Sequence, residues 1–323
     1  MALALLRTRS FLSLAAASAL AIGLTPGGPA QAQQGGGYTI VETGQRFSSL
    51  QQAVDSIGGS RGTIQIAPGT YRDCAVQKAG YVIYTAAQPG TAIFDGGICE
   101  SKATLVLRGQ GAEIRGLTFQ NLAVSDLNGS GIRLEKGNVT VSNSWFRNSQ
   151  QGILSANDPS GSLTVDKSTF SGLGRCGGGK GCAHSIYLGK LGSLTVTRSR
   201  FEQGRGGHYV KTRTPRVQIS GNSFDDTQGV TTNYMIDLSA GAVGEISNNI
   251  FVQGRNKENY SALIAVAPEG QENPTRGLTI TANDARIAPG VNRNTWFVAD
   301  WRGEPLNITG NTLGKGLAKY QKR

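Results

Sequence analysis

A phenylalanine recurs along the middle of the chain, each time within the same pattern of apolar and polar positions. An aliphatic residue lies five positions before it, and from the second copy onward a Ser or Asn lies two positions before it. The copies are 114–119, 141–146, 165–170, 196–201, 219–224 and 246–251, followed by two degenerate ones at 280–285 and 308–313. The steps between them are 27, 24, 31, 23, 27, 34 and 28 residues. Such a step indicates stacked coils of roughly two dozen residues with loop insertions.

Helical spacing of apolar residues occurs once, near the start of the chain. It predicts a short helix over 47–57, capped by Ser48 or Ser49 and preceded by a strand over 38–41. This helix is expected to cover one end of the solenoid. Elsewhere, short apolar runs broken by Gly, Asn and Ser predict strands. Together with the coil period they indicate an all-β, single-stranded parallel β-helix solenoid with a short N-terminal capping helix.

The polar position of the repeat predicts a ladder of side chains at equivalent turns. Stacked amides or hydroxyls there can bond to one another and to the neighbouring backbone. The expected members are Asn222, Asn249, Asn283 and Asn311, continued by Ser144, Ser168 and Ser199.

Residues 1–32 have the pattern of a signal peptide. Arg7 and Arg9 precede an apolar stretch over 11–24, and Ala30-Gln-Ala32 provides small residues for cleavage. We therefore expect one β-helix domain over 33–323, exported to the periplasm or outside the cell, with no transmembrane segment in the mature chain. An uncleaved membrane anchor is the alternative.

The charge of the mature chain favours a polyanionic partner. Removing the two signal-peptide arginines leaves 30 basic residues against 21 acidic ones, a net charge of +9. No nucleic-acid-binding module is recognisable, so acidic polysaccharide or oligosaccharide is the expected partner of a monomer. The alternative is that the charge serves solubility alone.

Four cysteines in an exported chain predict disulfides. Cys74 and Cys99 lie 25 residues apart, about one coil, and Cys176 and Cys182 flank a short glycine-rich segment. Three pairings are possible, and we expect these two local ones.

Three features carry a resemblance to a known superfamily. They are the entry Leu50-Gln-Gln-Ala-Val54, the turn Ala67-Pro-Gly-Thr-Tyr71 and the Asn ladder. Over most of the mature chain the sequence resembles the right-handed parallel β-helix superfamily of pectate lyases and related polysaccharide-active proteins. The resemblance implies a right-handed coil. It does not select an activity, because members include lyases, hydrolases, epimerases and non-catalytic adhesins.

The repeat also aligns the chain's two histidines. His184 and His208 lie 24 residues apart, and Tyr234 follows at the equivalent position of the next coil. We expect these three side chains to form a row at the strand starts, where a turn can present them to solvent.

A second row is predicted on the outer face of the same sheet. Alternation along the strands directs Tyr187, Lys211 and Asp237 outward in register, with Arg133 two coils before Tyr187. Arg213 emerges two positions after Lys211 on the same face.

This combination of side chains suits β-elimination at a uronic acid. That reaction needs a partner for the carboxylate, a base for the C5 proton and an acid for the leaving oxygen. Lys211 is the candidate base, Tyr187 or His208 the candidate acid, and Arg213 the carboxylate ligand. Some β-helix lyases use Lys and Arg in these roles, so the resemblance supports the choice. The candidate substrate-binding residues are His184, Tyr234, Asp237, Arg133, Arg175 and Lys180.

Two loop insertions are expected to form walls beside this cluster. Residues 172–182, with Arg175 and Lys180, lengthen the 31-residue step and lead into His184. Residues 267–275 lengthen the 34-residue step and are expected on the opposite side.

Other interpretations remain open from the sequence. One is a purely structural ladder of histidines, and another is an ordinary cross-strand ion pair between Lys211 and Asp237. A third is Ca²⁺ binding by Asp225-Asp226, although two acids are few for such a site. The leading hypothesis is an exported polysaccharide lyase. A non-catalytic glycan-binding or surface-structural β-helix is the next, followed by a glycoside hydrolase or epimerase.

Overall fold

The described residues form a parallel β-solenoid. A computed structural model describes residues 36–177 and 181–323. The predicted signal peptide and Lys180 lie outside these residues. In each coil the chain passes through three strands in turn, and each strand pairs in parallel with the equivalent strand of the next coil. The exceptions are the first two strands, Tyr38–Ile40 and Arg46–Phe47, which pair antiparallel at the N-terminal end. We call the three stacks sheet 1, sheet 2 and sheet 3, in the order in which the chain visits them.

Short connections separate the strands of each coil. The strands of sheet 1 are Tyr38–Ile40, Arg46–Phe47, Arg61–Ile66, Tyr81–Ala86, Gly111–Arg115, Asn138–Ser142, Asp158–Asp166, Leu191–Thr197, Arg216–Ser220, Val243–Ser247, Thr279–Thr281 and Asn307–Thr309. The strands of sheet 2 are Gly69–Tyr71, Ala92–Asp95, Leu117–Gln120, Trp145–Arg147, Thr169–Ser171, Arg200–Glu202, Ser223–Asp225, Ile250–Gln253, Asp284–Ile287 and Thr312–Leu313. The strands of sheet 3 are Ala75–Gln77, Ala103–Leu107, Ser130–Leu134, Gln151–Ser155, Ile186–Leu188, Val210–Thr212, Ile236–Leu238, Ala262–Val266, Thr295–Asp300 and Leu317–Lys322.

The recurring phenylalanines form one continuous stack inside sheet 2. Neighbouring rings from Phe119 to Phe251 lie 4.7–5.1 Å apart and nearly parallel. Phe94 and Tyr71 extend the stack toward the N-terminus. After Phe251 the next position in register is the small Ala285, and Phe297 from sheet 3 packs its edge against Phe251 instead. The repeat is therefore the hydrophobic core of the solenoid.

The predicted polar ladder lies at the turn between sheets 1 and 2. The side-chain amide of each ladder asparagine donates to the side-chain oxygen of the next, from Asn222 to Asn311, at 2.8–2.9 Å. Those oxygens also accept the backbone N–H of the preceding coil, and the serines continue the pattern. The residue just before each ladder position has a left-handed backbone, as at Asn248 with φ of 55°. This tight turn directs the next side chain inward, where only a bonded polar group is stable.

The N-terminal end differs from the prediction in detail. The helix is Leu50–Ile57, not 47–57, because Arg46–Phe47 pairs antiparallel with Tyr38–Ile40 as a strand. Ser49 occupies the cap position but makes no capping bond; the carboxylate of Asp73 accepts the N–H of Leu50 at 2.8 Å. The apolar face of the helix packs into the core, so it does cap the solenoid.

Both predicted disulfides are present. Cys74 is bonded to Cys99, and Cys176 to Cys182, the latter within a small hairpin of strands Arg175–Cys176 and Cys182–Ala183. Among the residues the structure describes, no helix is long and apolar enough to cross a membrane.

Candidate functional site

The candidate site lies on the outer face of sheet 3. Ile186, Val210 and Ile236 point into the core, and the residue after each points outward. Tyr187, Lys211 and Asp237 are therefore direct neighbours in the register of three consecutive strands. Strands in a sheet lie about 4.8 Å apart, which brings the three side chains into one compact row.

Lys211 is the centre of an ion-pair network. Its Nζ contacts a carboxylate oxygen of Glu269 and lies 3.4 Å from Oδ2 of Asp237. Glu269 belongs to the 267–275 loop, and its other oxygen contacts the guanidinium of Arg213. Arg213 in turn donates to the hydroxyl of Tyr187 at 2.7 Å. The Lys211 side chain is only 8% exposed, because the loop covers it.

We call the pair of cations formed by Lys211 and Arg213 the carboxylate fork. Its two donors each hold one oxygen of the same Glu269 carboxylate. Charged donors arranged around one carboxylate make strong and directional hydrogen bonds. The fork is thus shaped for a carboxylate.

The two histidines stack below the network. The rings of His184 and His208 lie 4.9 Å apart at 26°, and Tyr234 continues the stack at 5.5 Å from His208. Nδ1 of His184 accepts the backbone N–H of His208 at 2.9 Å, so its own proton lies on Nε2 when the ring is neutral. The edge of His184 meets Tyr187 in a T-shaped contact. The predicted row at the strand starts exists, but it is largely buried rather than presented to solvent.

Burial and neighbouring cations keep both histidines neutral. Desolvation lowers the pKa of His184 well below its usual value, and the charges of Lys211 and Arg213 act in the same direction. The pKa of His208 is likewise well lowered, first by burial and then by His184, Lys211 and Lys257. Nε2 of His208 lies 3.4 Å from the carboxylate of Asp237.

Asp237 is the buried acid of the site. Burial raises its pKa to about 6; Lys211 acts against the shift, and Glu269 adds to it. Oδ1 of Asp237 and Nδ1 of His208 are buried without a hydrogen-bond partner among the described residues. Unpaired polar atoms are costly inside a protein, and they concentrate at sites that bind or react.

Two further predicted residues lie away from this cluster. Arg133 occupies the same outward row but is separated from Tyr187 by Leu154, and it lies 3.6 Å from Glu135. Arg175 lines a groove of about 370 Å³ at the turn between sheets 2 and 3, together with Arg205. Neither contacts the carboxylate fork, and their assignment to substrate binding stays a prediction.

Sequence reasoning missed Glu269 and two tryptophans. The sequence predicts the 267–275 loop beside the cluster, but the coil period gives no indication that Glu269 reaches back to Lys211. Beyond the fork, Ala265 and Ala299 continue the outward row, and Trp296 and Trp301 pack beside them. These alanines are buried beneath the aromatic rings and form a small hydrophobic cluster next to the charged one.

Asp226 is not a calcium ligand. Its buried carboxylate lies 3.0 Å from the ammonium of Lys257, which supplies the positive charge that an ion would bring. Elsewhere in the described residues, the one group of three possible metal ligands is Cys176, Cys182 and Glu258. Its two cysteines are bonded to each other, so no metal is expected there.

A solenoid of three stacked parallel sheets with a buried polar cluster on one outer face defines a β-helix protein. The chain belongs to the right-handed beta helix family, whose model matches residues 103–285. No curated protein and no solved structure matches the chain significantly. Membership of this family establishes the fold but not an activity, which has to be inferred from the residues of the site.

Proposed function

We propose that this protein is an exported lyase that cleaves a uronate-containing polysaccharide by β-elimination. The observation that carries the proposal is the carboxylate fork, in which Lys211 and Arg213 together hold a carboxylate beside the hydroxyl of Tyr187. A uronate presents the same group, and the net positive charge of the chain favours an acidic glycan.

The fork supplies the groups that the reaction needs. Arg213 binds the uronate carboxylate and stabilises the negative charge that develops when C5 loses its proton. Lys211 first gives up its own proton to solvent and then takes the C5 proton as a neutral amine, and the electron pair forms the C4–C5 double bond as the C4 oxygen leaves. Tyr187 accepts its hydrogen bond from Arg213, which leaves its own O–H free to protonate the leaving oxygen.

The buried residues act on these groups rather than on the substrate. Asp237 and His208 are almost inaccessible. Asp237 contacts Lys211, and His208 contacts Asp237. His184 and Tyr234 fix His208 by stacking on its two faces. We assign all four as positioning residues.

Export is supported by covalent structure. Both disulfides require an oxidising compartment to persist, and the Cys176–Cys182 loop leads directly into the strand that carries Tyr187.

A glycoside hydrolase is the second candidate, favoured by one observation. Asp237, whose pKa is raised to about 6, and Glu269 both contact the ammonium of Lys211. Hydrolases use such a pair, in which a carboxylic acid with a raised pKa lies near a second carboxylate. The burial of Asp237 counts against it, because its side chain is only 2% exposed.

The test is product analysis on a panel of acidic polysaccharides such as polygalacturonate, alginate and glucuronate-containing exopolysaccharides. The lyase yields unsaturated uronates, seen as new ultraviolet absorbance, whereas a hydrolase yields reducing ends without it. Lys211→Ala is expected to lower kcat by roughly 10²–10⁴-fold, the range of general acid–base catalysis. Tight binding of one glycan with no product from any would instead identify a non-catalytic binding protein.

Lys190→Ala provides a matched control. Lys190 lies beside sheet 3 and pairs with Glu272 of the 267–275 loop, but its side chain is half exposed and outside the fork. Its removal should leave turnover within about twofold, since exposed pairs contribute little. An equal loss in both lysine variants would show that general positive charge, and not the fork, accounts for activity.

A further inference from the structure

Glu269 is held at the fork by its own loop. Its backbone N–H donates to the carbonyl of Ser239 at 3.0 Å, and the next residue, Gly270, donates to the same oxygen. Asn273 bonds to the carbonyls of Arg213 and Gly241 with its side-chain amide. The loop backbone is therefore anchored on sheet 3, while the Glu269 side chain remains 42% exposed.

The charges of the cluster balance only with a carboxylate present. Lys211 and Arg213 bring two positive charges, Asp237 and Glu269 two negative ones, and burial keeps His184 and His208 neutral. If Glu269 leaves, Arg213 loses its carboxylate partner and Lys211 keeps only Asp237, at 3.4 Å. Uncompensated charge in a partly buried site is costly, so another anion has to take its place.

A uronate carboxylate and the Glu269 carboxylate compete for the same two donors. Exchanging one for the other conserves charge and the number of hydrogen bonds. A neutral sugar offers no such exchange, because it would leave the fork unpaired. The exchange itself is inexpensive, because one carboxylate replaces another and the Glu269 side chain is already 42% exposed.

We propose that Glu269 is an internal substitute for the substrate carboxylate, and that it makes the fork selective for acidic glycans. The side chain rotates into solvent when a uronate binds, and the anchored loop backbone stays in place. The inference rests on the proposed function only for the identity of the ligand as a uronate.

Glu269→Ala and Glu269→Gln test the proposal, with Glu272→Gln as the matched control. Glu272 lies on the same loop and pairs with Lys190 at 3.1 Å, so the control removes a loop carboxylate without touching the fork. The probes are trimers of galacturonate, of mannuronate and of glucuronate, with affinity measured by calorimetry. Both Glu269 variants should bind at least one trimer about tenfold or more tightly than the wild type does, and Glu272→Gln should not.

A second measurement does not depend on knowing the right glycan. Crystals of Glu269→Ala soaked in sodium glucuronate should contain a carboxylate bridging Lys211 and Arg213, and crystals of Glu272→Gln should keep Glu269 there. An unoccupied fork in Glu269→Ala would overturn the proposal. So would loss of turnover in Glu269→Gln with unchanged affinity, because that result makes Glu269 a catalytic group.

Failure of the inference is distinguishable from failure of the lyase assignment. If the wild type releases unsaturated product while Glu269→Ala shows an unchanged KM, the lyase assignment is supported and the proposed role of Glu269 is wrong. If Glu269→Ala binds acidic trimers more tightly while no variant forms product, the substitute stands and the lyase does not.

Discussion

Two buried aspartate–lysine pairs lie close together in the chain and differ in almost every other respect. Asp226 and Lys257 are both nearly inaccessible, and the Asp226 carboxylate accepts bonds from Tyr209, Thr232 and the backbone of Gly254 as well as from the ammonium. Asp237 reaches Lys211 only at 3.4 Å, has an unpaired oxygen, and shares its lysine with a loop.

The difference separates a fully hydrogen-bonded pair from the pair at the proposed site. A buried ion pair is stable when additional hydrogen bonds satisfy both groups, as they do at Asp226. The pair at Asp237 leaves polar atoms unpaired and a carboxylate with a raised pKa, features that a protein retains at a site of binding or chemistry. The two pairs share burial and opposite charge and differ in their hydrogen bonding.

The largest expected effect is on the structural pair. Asp226→Ala leaves the Lys257 charge buried without a partner and removes the acceptor of Tyr209, so we expect a loss of about 3–5 kcal/mol in the free energy of unfolding. Urea denaturation at pH 7.5 measures it. Asp225→Ala is the matched control, expected to cost less than about 1 kcal/mol because Asp225 is partly exposed and bonds mainly to Thr227. Similar losses in both would contradict the structural role of Asp226.

The next effect concerns the histidines beneath the functional pair. In the unfolded chain the histidines bind protons below a pKa of about 6.5, whereas folded His184 and His208 remain neutral. The free energy of unfolding therefore decreases as the pH is lowered. Each histidine lowers the free energy of unfolding by about 1.4 kcal/mol between pH 7.5 and pH 5.5. Asp237 acts in the opposite direction, because its raised pKa favours the folded state as it takes up a proton, and the net loss is about 2 kcal/mol.

Denaturation at pH 7.5, 6.5 and 5.5 measures this slope, and His184→Gln/His208→Gln should remove or reverse it. Carboxylates whose pKa is lowered by ion pairs, such as Asp166 and Glu135, lose their contribution to stability only at lower pH. They therefore do not affect the slope between pH 7.5 and pH 5.5. A slope unchanged in the double variant would mean that the buried histidines are not the cause.

The smallest effect is on Asp237 itself. Its raised pKa means that the ionised form is unfavourable in the folded state above pH 6, so Asp237→Asn should stabilise the protein by about 1–2 kcal/mol at pH 8. The gain should shrink toward zero near pH 4.5, where Asp237 of the wild type is protonated. Destabilisation at pH 8 would place Asp237 in the same class as Asp226 and remove the contrast between the pairs.

The sequence predicted the features that follow the coil period. The Phe stack, the Asn ladder and the register of Tyr187, Lys211 and Asp237 all depend on equivalent positions in successive coils. Phe94 escaped the pattern because Pro89 lies five positions before it in place of an aliphatic residue. Periodicity thus locates strands and shared faces, provided that each coil keeps its anchor residues.

Contacts made by insertions could not be predicted in this way. Glu269 reaches Lys211 across 58 residues from a loop, and no period constrains where a loop side chain ends. Burial of the histidine row was also missed, because the covering loop and the neighbouring coils exclude the solvent that a turn position was expected to meet. The roles of Lys211, Arg213 and Tyr187 stay predictions until product and binding are measured.

The stacking of Phe170 on Phe201 at 4.8 Å is unaffected by the 31 residues that separate them. A chain built in this way can gain or lose residues at one connection without a change reaching the coils on either side. The two longest steps border the same sheet, at the start and at the end of its strands. A change of length at either connection would therefore alter the surroundings of the fork and leave the stacked core as it is.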